Sequence, residues 1–419
     1  MSNVPELRFP EFSGSWKLGY LGDLVDSLDA GISVNSGDTP AKNNQQGILK
    51  TSCVSKGVFD PQENKVVDND HEISRLKEPV KADSVIISRM NTPALVGANS
   101  FVNKDYPNLF LPDRLWAGKI NKNHIPSWVG ILISHSKTRA IFSARGTGTS
   151  GSMKNITKGD VLTAPVIYPD KEEQQKIAIF LSAVDKKLGH LRRKHELLES
   201  YKRGIMQKIF SPFDSAQGKP LRFKQDNGTD FPDWEEKRLG DVIELISGLT
   251  YTPDNVKDSG LLVLRSSNVQ EGKLKLGDNV FVNLDVEDKY LTRRNDILLC
   301  VRNGSRRLIG KTALIGKNLP RATHGAFMTV LRGKENQFIF QLLQTPFFYK
   351  EVHKNLGATI NSINGADLKK FKFILPTSEE EKQKIANFLS TLDKKLEAVQ
   401  KQIDQTEVFK KGLLQKMFV

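Results

Sequence analysis

Residues 172–188 read EEQQKIAIFLSAVDKKL, and residues 379–396 read EEEKQKIANFLSTLDKKL. The second stretch repeats the first, so that Asp185 matches Asp393, 208 positions later. Self-similarity at a fixed offset is the sequence signature of a repeated architecture. The chain is therefore expected to contain one structural unit twice, with each copy of this stretch closing one half.

The beginning of each half repeats as well. Leu-Arg-Phe occurs at residues 7–9 and 221–223, and Leu-Gly-Asp occurs at residues 21–23 and 239–241. Between these points the halves match only at scattered positions, one of which pairs Arg89 with Arg302. A shared scaffold with divergent loops suits two domains that bind different targets, although drift after a duplication leaves the same pattern.

Apolar residues follow alternating steps of four and three through both long stretches. This 3.5-residue period is typical of a coiled-coil seam. Helices are predicted over about residues 172–210 and 379–418, and their packing is expected to be antiparallel because each helix leaves a different half. In the other interpretation, each helix lies separately on its own globule. The seam positions are Ile177, Leu181, Val184, Leu188, Leu191, His195, Leu198, Lys202, Ile205 and Ile209, then Ile385, Leu389, Leu392, Leu396, Val399, Ile403, Thr406, Lys410, Leu413 and Met417.

The fold class is predicted to be α+β, with two strand-rich mixed domains and two long antiparallel coiled-coil helices in an internal pseudo-two-fold repeat. Short apolar runs between turn residues favour strands, and short helices are predicted over residues 128–145 and 338–355. Pro212 and Gly218 mark a linker between the halves. The predicted segments are domain 1 (1–170), a central spacer helix (171–210), the linker (211–220), domain 2 (221–377) and a C-terminal spacer helix (378–419).

Composition narrows the class of protein. The 419 residues are 38% hydrophobic, which is ordinary for a soluble globular chain, and no 18 apolar residues follow one another. Cys53 and Cys300 lie in different halves, so a cytoplasmic location without disulfides or membrane insertion is expected. The net charge of +14 favours a polyanionic partner, because each neutralised phosphate releases condensed counterions.

The motifs of common catalytic sites are missing from the sequence. No GxxxxGK[ST] loop is present, and neither is the Asn/Asp-Pro-Pro-Tyr tetrapeptide of amino-methyltransferases. The seven histidines stand apart from cysteines and carboxylates at metal-ligand spacing. No catalytic, cofactor-binding or metal site is therefore predicted on this chain.

The loops of both halves instead carry hydrogen-bonding side chains. Arginine and lysine bind guanine edges or phosphates, asparagine binds adenine, and serine or threonine binds either. Arg89 and Arg302 are the strongest candidates, because they follow apolar runs at matching positions. The predicted DNA-binding residues are Arg89, Asn91, Arg145, Thr149, Ser152, Lys154, Asn155, Arg265, Arg302, Arg306, Arg307 and Asn361.

Aromatic residues outside the helix seams widen the apolar surface beyond what two helices need. Further helices from a partner protein are therefore predicted to pack there. The predicted partner-docking residues are Phe180, Tyr201, Phe210, Phe388, Phe409 and Phe418.

The chain resembles a DNA-specificity subunit of a type I restriction-modification enzyme. The signature QKIAxFLSxxDKKL carries the resemblance, at residues 175–188 and again at 383–396, and the order of domains agrees with it over essentially the whole length. The resemblance implies a bipartite double-stranded DNA target, with one half read by each globule. It also implies two methyltransferase subunits that hold S-adenosylmethionine, and motor-nuclease subunits that join for restriction.

Two other functions remain open from the sequence. A fused methyltransferase or restriction enzyme requires catalytic motifs on the same chain, and their absence argues against it. A non-catalytic architectural or scaffold protein would use the coiled coil alone, and sequence-selective DNA binding distinguishes it from a specificity subunit.

Overall fold

The computed structural model describes residues 3–148, 152–211, 221–317, 319–356 and 361–419. Packing divides the chain into unit 1, Met1–Leu191 with Gln402–Val419, and unit 2, Arg192–Lys401. This division cuts both long helices, so each unit combines one globule with parts of both. The five predicted segments follow the sequence repeat instead, and they stay a prediction. Residues 212–220 of the linker lie outside the described part of the chain.

Unit 1 is built from short strands and helices that precede the first long helix. Its four-residue 3₁₀ turn is Thr51–Val54. In chain order the elements are β1 (Lys17–Tyr20), α1 (Leu21–Leu24), β2 (Val25–Ala30), β3 (Gln46–Leu49), β4 (Asn64–Val67), α2 (Asp70–Arg75), β5 (Pro79–Val80), β6 (Ser84–Ser88), β7 (Met90–Asn91), β8 (Asn99–Phe101), β9 (Tyr106–Phe110), β10 (Leu115–Ile120), α3 (Pro126–Ser134), α4 (Ser136–Arg145), β11 (Lys154–Asn155), α5 (Lys158–Leu162), β12 (Pro165–Tyr168) and α6 (Lys171–Ile209).

Unit 2 has the same kind of content. Its 3₁₀ turns are Pro253–Asn255, Ser266–Asn268, Asp288–Tyr290 and Arg306–Leu308. In chain order the elements are β13 (Glu235–Arg238), α7 (Leu239–Val242), β14 (Glu244–Ser247), β15 (Val256–Lys257), β16 (Leu261–Leu264), β17 (Val269–Gln270), β18 (Lys273–Leu274), β19 (Val280–Val282), β20 (Ile297–Cys300), β21 (Thr312–Leu314), β22 (Ala322–His324), β23 (Met328–Arg332), α8 (Asn336–Leu342), α9 (Pro346–Asn355), α10 (Gly365–Lys369), β24 (Lys372–Leu375) and α11 (Glu379–Met417).

The two globules share their sheet topology. Unit 1 has an antiparallel sheet in the order β2-β10-β6-β8, and unit 2 repeats it as β14-β23-β20-β21. A second sheet with one parallel pair runs β4-β3-β9-β5 in unit 1 and β15-β19-β16-β22 in unit 2. The first strand of each globule, which directly follows Trp16 or Trp234, pairs with its last strand, β1 with β12 and β13 with β24. The predicted repeat of a mixed α+β scaffold is therefore confirmed.

Within each unit the helix segments pair in opposite directions. In unit 1, Asp185 of α6 pairs with Lys410 of α11, while Ile177 shares a core with Met417. In unit 2, Lys202 pairs with Asp393, while residues near the end of α6 share a core with the start of α11. All twenty seam positions are buried or half-buried. The predicted antiparallel seam is thus correct, and the start of each helix also covers the globule that precedes it.

The repeated Leu-Arg-Phe segments fasten each globule to its helix. Arg8 donates from Nε and Nη2 to the carboxylate of Glu173 at 2.8 and 2.7 Å, and Arg222 makes the same two-pronged contact with Glu381 at 2.9 and 2.9 Å. These hydrogen bonds raise the pKa of both guanidinium groups. A guanidinium matches a carboxylate in this geometry, so the arginine rather than a generic cation is needed at this position.

Both predicted short helices are interrupted. Residues 128–145 form α3 and α4, because His135 adopts an extended conformation between them. Residues 338–355 form α8 and α9, which Pro346 separates. None of the helices in the described ranges combines the length and the apolar character that crossing a membrane requires.

Candidate nucleic-acid interface

Equivalent arginines follow equivalent strands in the two units. Arg89 comes directly after β6, and Arg302 lies two residues beyond β20. The backbone N–H of Arg89 donates to the carbonyl of Arg114 at 3.0 Å, and that of Arg302 donates to the carbonyl of Phe327 at 3.1 Å. Arg114 and Phe327 each immediately precede the neighbouring strand, β10 or β23. The sheet therefore holds both arginines at the same place.

A glycine ends the loop after each arginine. Gly97 and Gly310 have φ values of +72° and +86°, and each donates its N–H to the end of the preceding strand, at Ser88 and Cys300. A Cβ at Gly97 would lie 2.5 Å from the Phe142 ring. Positive φ favours glycine at both positions, and close packing adds a second reason at Gly97.

Four of the predicted DNA-binding residues lie together in unit 1. Strand β7 pairs with β11, which places Asn91 beside Lys154. Arg89 Nε donates to Asn155 Oδ1 at 3.3 Å, and its guanidinium lies over the Trp116 ring, 5.7 Å from the centroid. Trp116 itself is only 2% exposed. The arginine is thus held by a buried ring beneath it and an amide beside it.

The other candidates in unit 1 have different surroundings. Arg145 Nη1 donates to the Asp160 carbonyl at 2.7 Å and to Thr163 Oγ1 at 3.0 Å, so it ties α4 to α5. Ser152 is exposed in the segment before β11, and Thr149 lies outside the described residues. DNA contact by these residues stays a prediction.

Unit 2 gathers a second group around Arg302. The guanidinium lies 5.8 Å from the centroid of the Phe327 ring, which is 53% exposed. The neighbouring Asn303 donates its backbone N–H to the Asn361 carbonyl at 3.3 Å. Arg306 and Arg307 are exposed on the following 3₁₀ turn. The structure therefore brings Arg302, Asn361 and this turn into one loop cluster.

Arg265 stands on another loop of unit 2. Its Nη2 donates to Asp278 Oδ2 at 2.8 Å, and the pair borders a cleft that also contains Phe327. Asn303 Nδ2 donates to Ser266 Oγ at 3.0 Å, which connects this loop to the Arg302 loop. The predicted residues of unit 2 thus border one continuous surface.

The predicted docking aromatics separate into three classes. Tyr201 and Phe409, which occupy equivalent helix positions, are 51% and 54% exposed. Phe180 and Phe388 are half-buried, and each packs edge-on against the phenylalanine of a Leu-Arg-Phe segment. Phe210 and Phe418 are buried.

The prediction that Phe210 and Phe418 dock a partner has to be corrected, because both rings are buried. Phe418 stacks on Trp128 at 5.8 Å in unit 1, and Phe210 lies 5.7 Å from Phe338 in unit 2. These two rings complete the cores of their own units, because the helix ends fold back onto the globules. Their burial leaves these two rings unavailable for contact with a partner.

The buried cysteines do not supply a reactive thiolate. Burial raises the pKa of the Cys53 thiol to about 12 and that of Cys300 to about 11. Both thiols are therefore protonated at neutral pH, and only a thiolate acts as a nucleophile or metal ligand. Among the described residues no group of three or more His, Cys, Asp or Glu side chains could hold a metal ion.

Several residues of the candidate interface were not predicted. The rings of Trp116 and Phe327 lie beneath the guanidinium groups of the two candidate arginines. Tyr251 and Asp278 border the cleft. Their positions depend on strand pairing between distant segments, as when β23 lies beside β20. The one local signal is an aromatic residue next to the start of a predicted strand, which is common in any sheet.

Comparison with known proteins gives a consistent family. The sequence profile described as "Type I restriction modification DNA specificity domain" matches residues 16–200 and 232–407. The putative type I restriction enzyme MjaX specificity subunit of Methanocaldococcus jannaschii is 32% identical, over 98% of this chain and 95% of the relative. The MjaVIII specificity subunit of the same organism is 29% identical, over 64% of each chain, so the alignment spans somewhat less than two thirds of that relative.

A solved structure agrees with the fold. The type I restriction-modification S subunit from M. genitalium superposes with a TM-score of 0.65 over 99% of each chain, at 16% identity. The predicted resemblance is confirmed by these matches, and both halves contribute to it. The chain belongs to the type I restriction-modification DNA specificity family.

Proposed function

We propose that this chain is the DNA-recognition subunit of a type I restriction-modification complex, and that each unit reads one part of a bipartite target. One observation carries the proposal: both units hold an exposed or half-buried arginine over an aromatic ring at the same point of the same sheet. Arginine held in one orientation is suited to a guanine edge. The net charge of +14 supplies the attraction to phosphates.

The surroundings of the two arginines support different targets for the two units. The equivalent position before the central strand is Arg114 in unit 1 and Phe327 in unit 2. The residues beside the arginines also differ, because Arg89 Nε donates to Asn155 Oδ1 whereas Arg302 forms an antiparallel β-bridge with Ser362. A charged and an aromatic side chain contact different base edges, so the same scaffold serves two half-sites.

Two methyltransferase subunits are the proposed partners on the helices. Tyr201 and Phe409 are exposed at positions 208 residues apart, one in each unit. Tyrosine and phenylalanine are enriched at the centres of protein interfaces. The partners would supply S-adenosylmethionine and the methyl-transfer chemistry, and motor-nuclease subunits would join them for restriction.

Exchange of one globule tests the proposal. Residues 221–376 are replaced by the corresponding segment of a relative with a different target, and methylated adenines are mapped genome-wide. We expect one half of the methylated motif to change while the other half is retained. A matched exchange within residues 16–169 should change the opposite half, and an exchange that alters both halves together would contradict independent reading. An unchanged motif would favour a scaffold role.

A further inference from the structure

A cleft with a volume of about 490 Å³ lies beside Arg302 in unit 2. Phe327 forms part of its wall and also supports the Arg302 guanidinium. Tyr251 adds apolar surface, while Arg265 and Ser266 add polar groups. The cleft therefore combines an apolar wall with hydrogen-bond donors next to the proposed guanine-binding arginine.

Phe327 is the unusual member of this wall. About half of its surface is exposed. The residue lies in the turn before β23, so its ring contributes nothing to the core. The ring stands immediately before β23, so the central strand of the sheet fixes its position. An exposed aromatic ring on a rigid element is suited to contact an apolar group of a ligand.

Arg265 provides a donor in the same cleft. Its Nη2 donates to Asp278, and the side chain remains 35% exposed, so part of the guanidinium is accessible. The Asp278 carboxylate fixes the guanidinium, so its remaining donors keep one orientation. The cleft thus presents a fixed donor together with an apolar ring.

The major-groove edge of one base matches this combination of a hydrogen-bond donor and an apolar ring. In the major groove thymine shows the O4 acceptor and the 5-methyl group, whereas guanine, adenine and cytosine show no methyl group. We propose that Phe327 is a specificity-determining residue that contacts the 5-methyl group of a thymine in the half-site of unit 2; this rests on the proposed function. The guanidinium of Arg302 lies 5.8 Å from the ring, so the guanine that it reads lies within about two base pairs of that thymine.

Unit 1 lacks the corresponding feature. Its equivalent position is the exposed Arg114, and the ring beneath Arg89 is the buried Trp116. A methyl group cannot reach a ring that is covered by its own unit. The half-site of unit 1 therefore serves as an internal control for the contact in unit 2.

Replacement of thymine by uracil in the target tests the contact, because uracil lacks only the methyl group. The full chain in complex with its methyltransferase partner is titrated with duplexes that carry uracil at each thymine in turn. For the natural chain we expect about fourfold weaker binding at one position of the unit 2 half-site, the factor that losing one buried methyl group gives. Phe327→Ala should bind thymine DNA correspondingly more weakly and show no further loss with uracil. Phe327→Leu should retain the preference.

The possible outcomes are distinct. Uracil in the unit 1 half-site should affect the natural chain and Phe327→Ala equally, and equal melting temperatures establish that the variants are folded. The proposal is overturned if the natural chain tolerates uracil throughout the unit 2 half-site, if that half-site contains no thymine, or if Phe327→Ala keeps the natural preference for thymine. A natural complex that does not distinguish its target from unrelated DNA would instead refute the proposed function itself, before any variant is compared.

Discussion

Lys202 Nζ lies 2.5 Å from Asp393 Oδ1, so a lysine in the apolar seam of α6 meets a carboxylate of α11. The same pair occurs in unit 1 with the helices exchanged, between Lys410 and Asp185, also at 2.5 Å. A polar residue in a mainly apolar seam fixes the register of the paired helices, because a shift by one heptad removes its partner. The two lysines that interrupt the seam in the sequence thus have one common explanation.

Replacement of Lys202 by methionine should weaken the local helix pair. Asp393 would keep its hydrogen bond from Gln341 Nε2 at 3.1 Å, so we expect a loss of about 1 kcal/mol rather than the larger cost of an unpaired buried charge. Hydrogen–deuterium exchange of residues 192–209 measures this opening free energy. Lys372→Met, which breaks an exposed pair with Glu236, is the control. Equal exchange in both variants would show that the seam pair does not stabilise the register.

Removing the Arg222–Glu381 contact should cost more stability than removing the Lys202–Asp393 pair. Glu381 is fully buried, and without Arg222 the one hydrogen bond that its carboxylate would keep within the described part of the chain is that from Trp234 Nε1 at 3.0 Å. Arg222→Ala is therefore expected to lower the free energy of unfolding by about 3 to 5 kcal/mol. The double variant Arg222→Ala with Glu381→Gln should recover part of this loss, because no buried charge remains. Urea unfolding measures the stability of the single and of the double variant. A double variant that is no more stable than the single one would contradict the charge argument.

The sequence predicted the long helices closely because their period is strict over five heptads. The predicted range 172–210 compares with Lys171–Ile209 in the structure. The break at His135 could not be predicted, since neither glycine nor proline marks it and the ring stacks on Phe418, far away in the chain. The break before Pro346 did carry a local signal, because a residue that precedes proline disfavours helix.

The candidate site was predicted only in part. Arg89 and Arg302 could be selected because they recur at one offset, which does not depend on the loops around them. Phe327 carries no such mark, since its counterpart is Arg114 and a divergent position is invisible to a search for repeats. Its importance follows from the pairing of β20 with β23, which the sequence does not reveal.

Alanine at Arg89 or Arg302 should weaken specific DNA binding by about 1 to 3 kcal/mol if the side chain contacts a base. Arg302→Ala should leave the melting temperature unchanged, because the guanidinium is exposed. Arg89→Ala should also lower the melting temperature slightly, since it loses packing on Trp116. Arg193→Ala on the helix surface is the matched control. A loss of stability without a loss of affinity would assign either arginine a purely structural role.

Unit 2 should lose stability in mild acid because of His324. Burial lowers the pKa of this imidazole from 6.5 to about 4, and its Nε2 donates to the Ile246 carbonyl at 2.9 Å. The nearby Asp296 favours the protonated form, while Arg332 opposes it. Below pH 6.5 the unfolded chain binds a proton that the folded chain does not, so stability falls as the pH drops toward about 4.

The full effect of His324 is on the order of 3 kcal/mol. His324→Gln does not titrate, and its amide can still donate to Ile246, so its unfolding free energy should depend less on pH. Urea unfolding at about pH 7 and about pH 5 compares the two chains over the relevant range. The same decrease in both chains would assign the acid sensitivity to other groups.

Lengthening both helices by one heptad should alter the spacer between the half-sites. Seven residues inserted after Gly189 and seven after Glu397 keep the seam period, and they leave the Asp185–Lys410 and Lys202–Asp393 pairs in register. The added length is about 10 Å at 1.5 Å per residue, which equals about three base pairs. Three base pairs also turn the second half-site by about 100° around the duplex, and a rigid helix pair would not supply that rotation. We therefore expect either a lengthened spacer in the methylated motif or loss of methylation. A folded variant that still modifies the original motif at its original spacing would show that the helices do not set this distance.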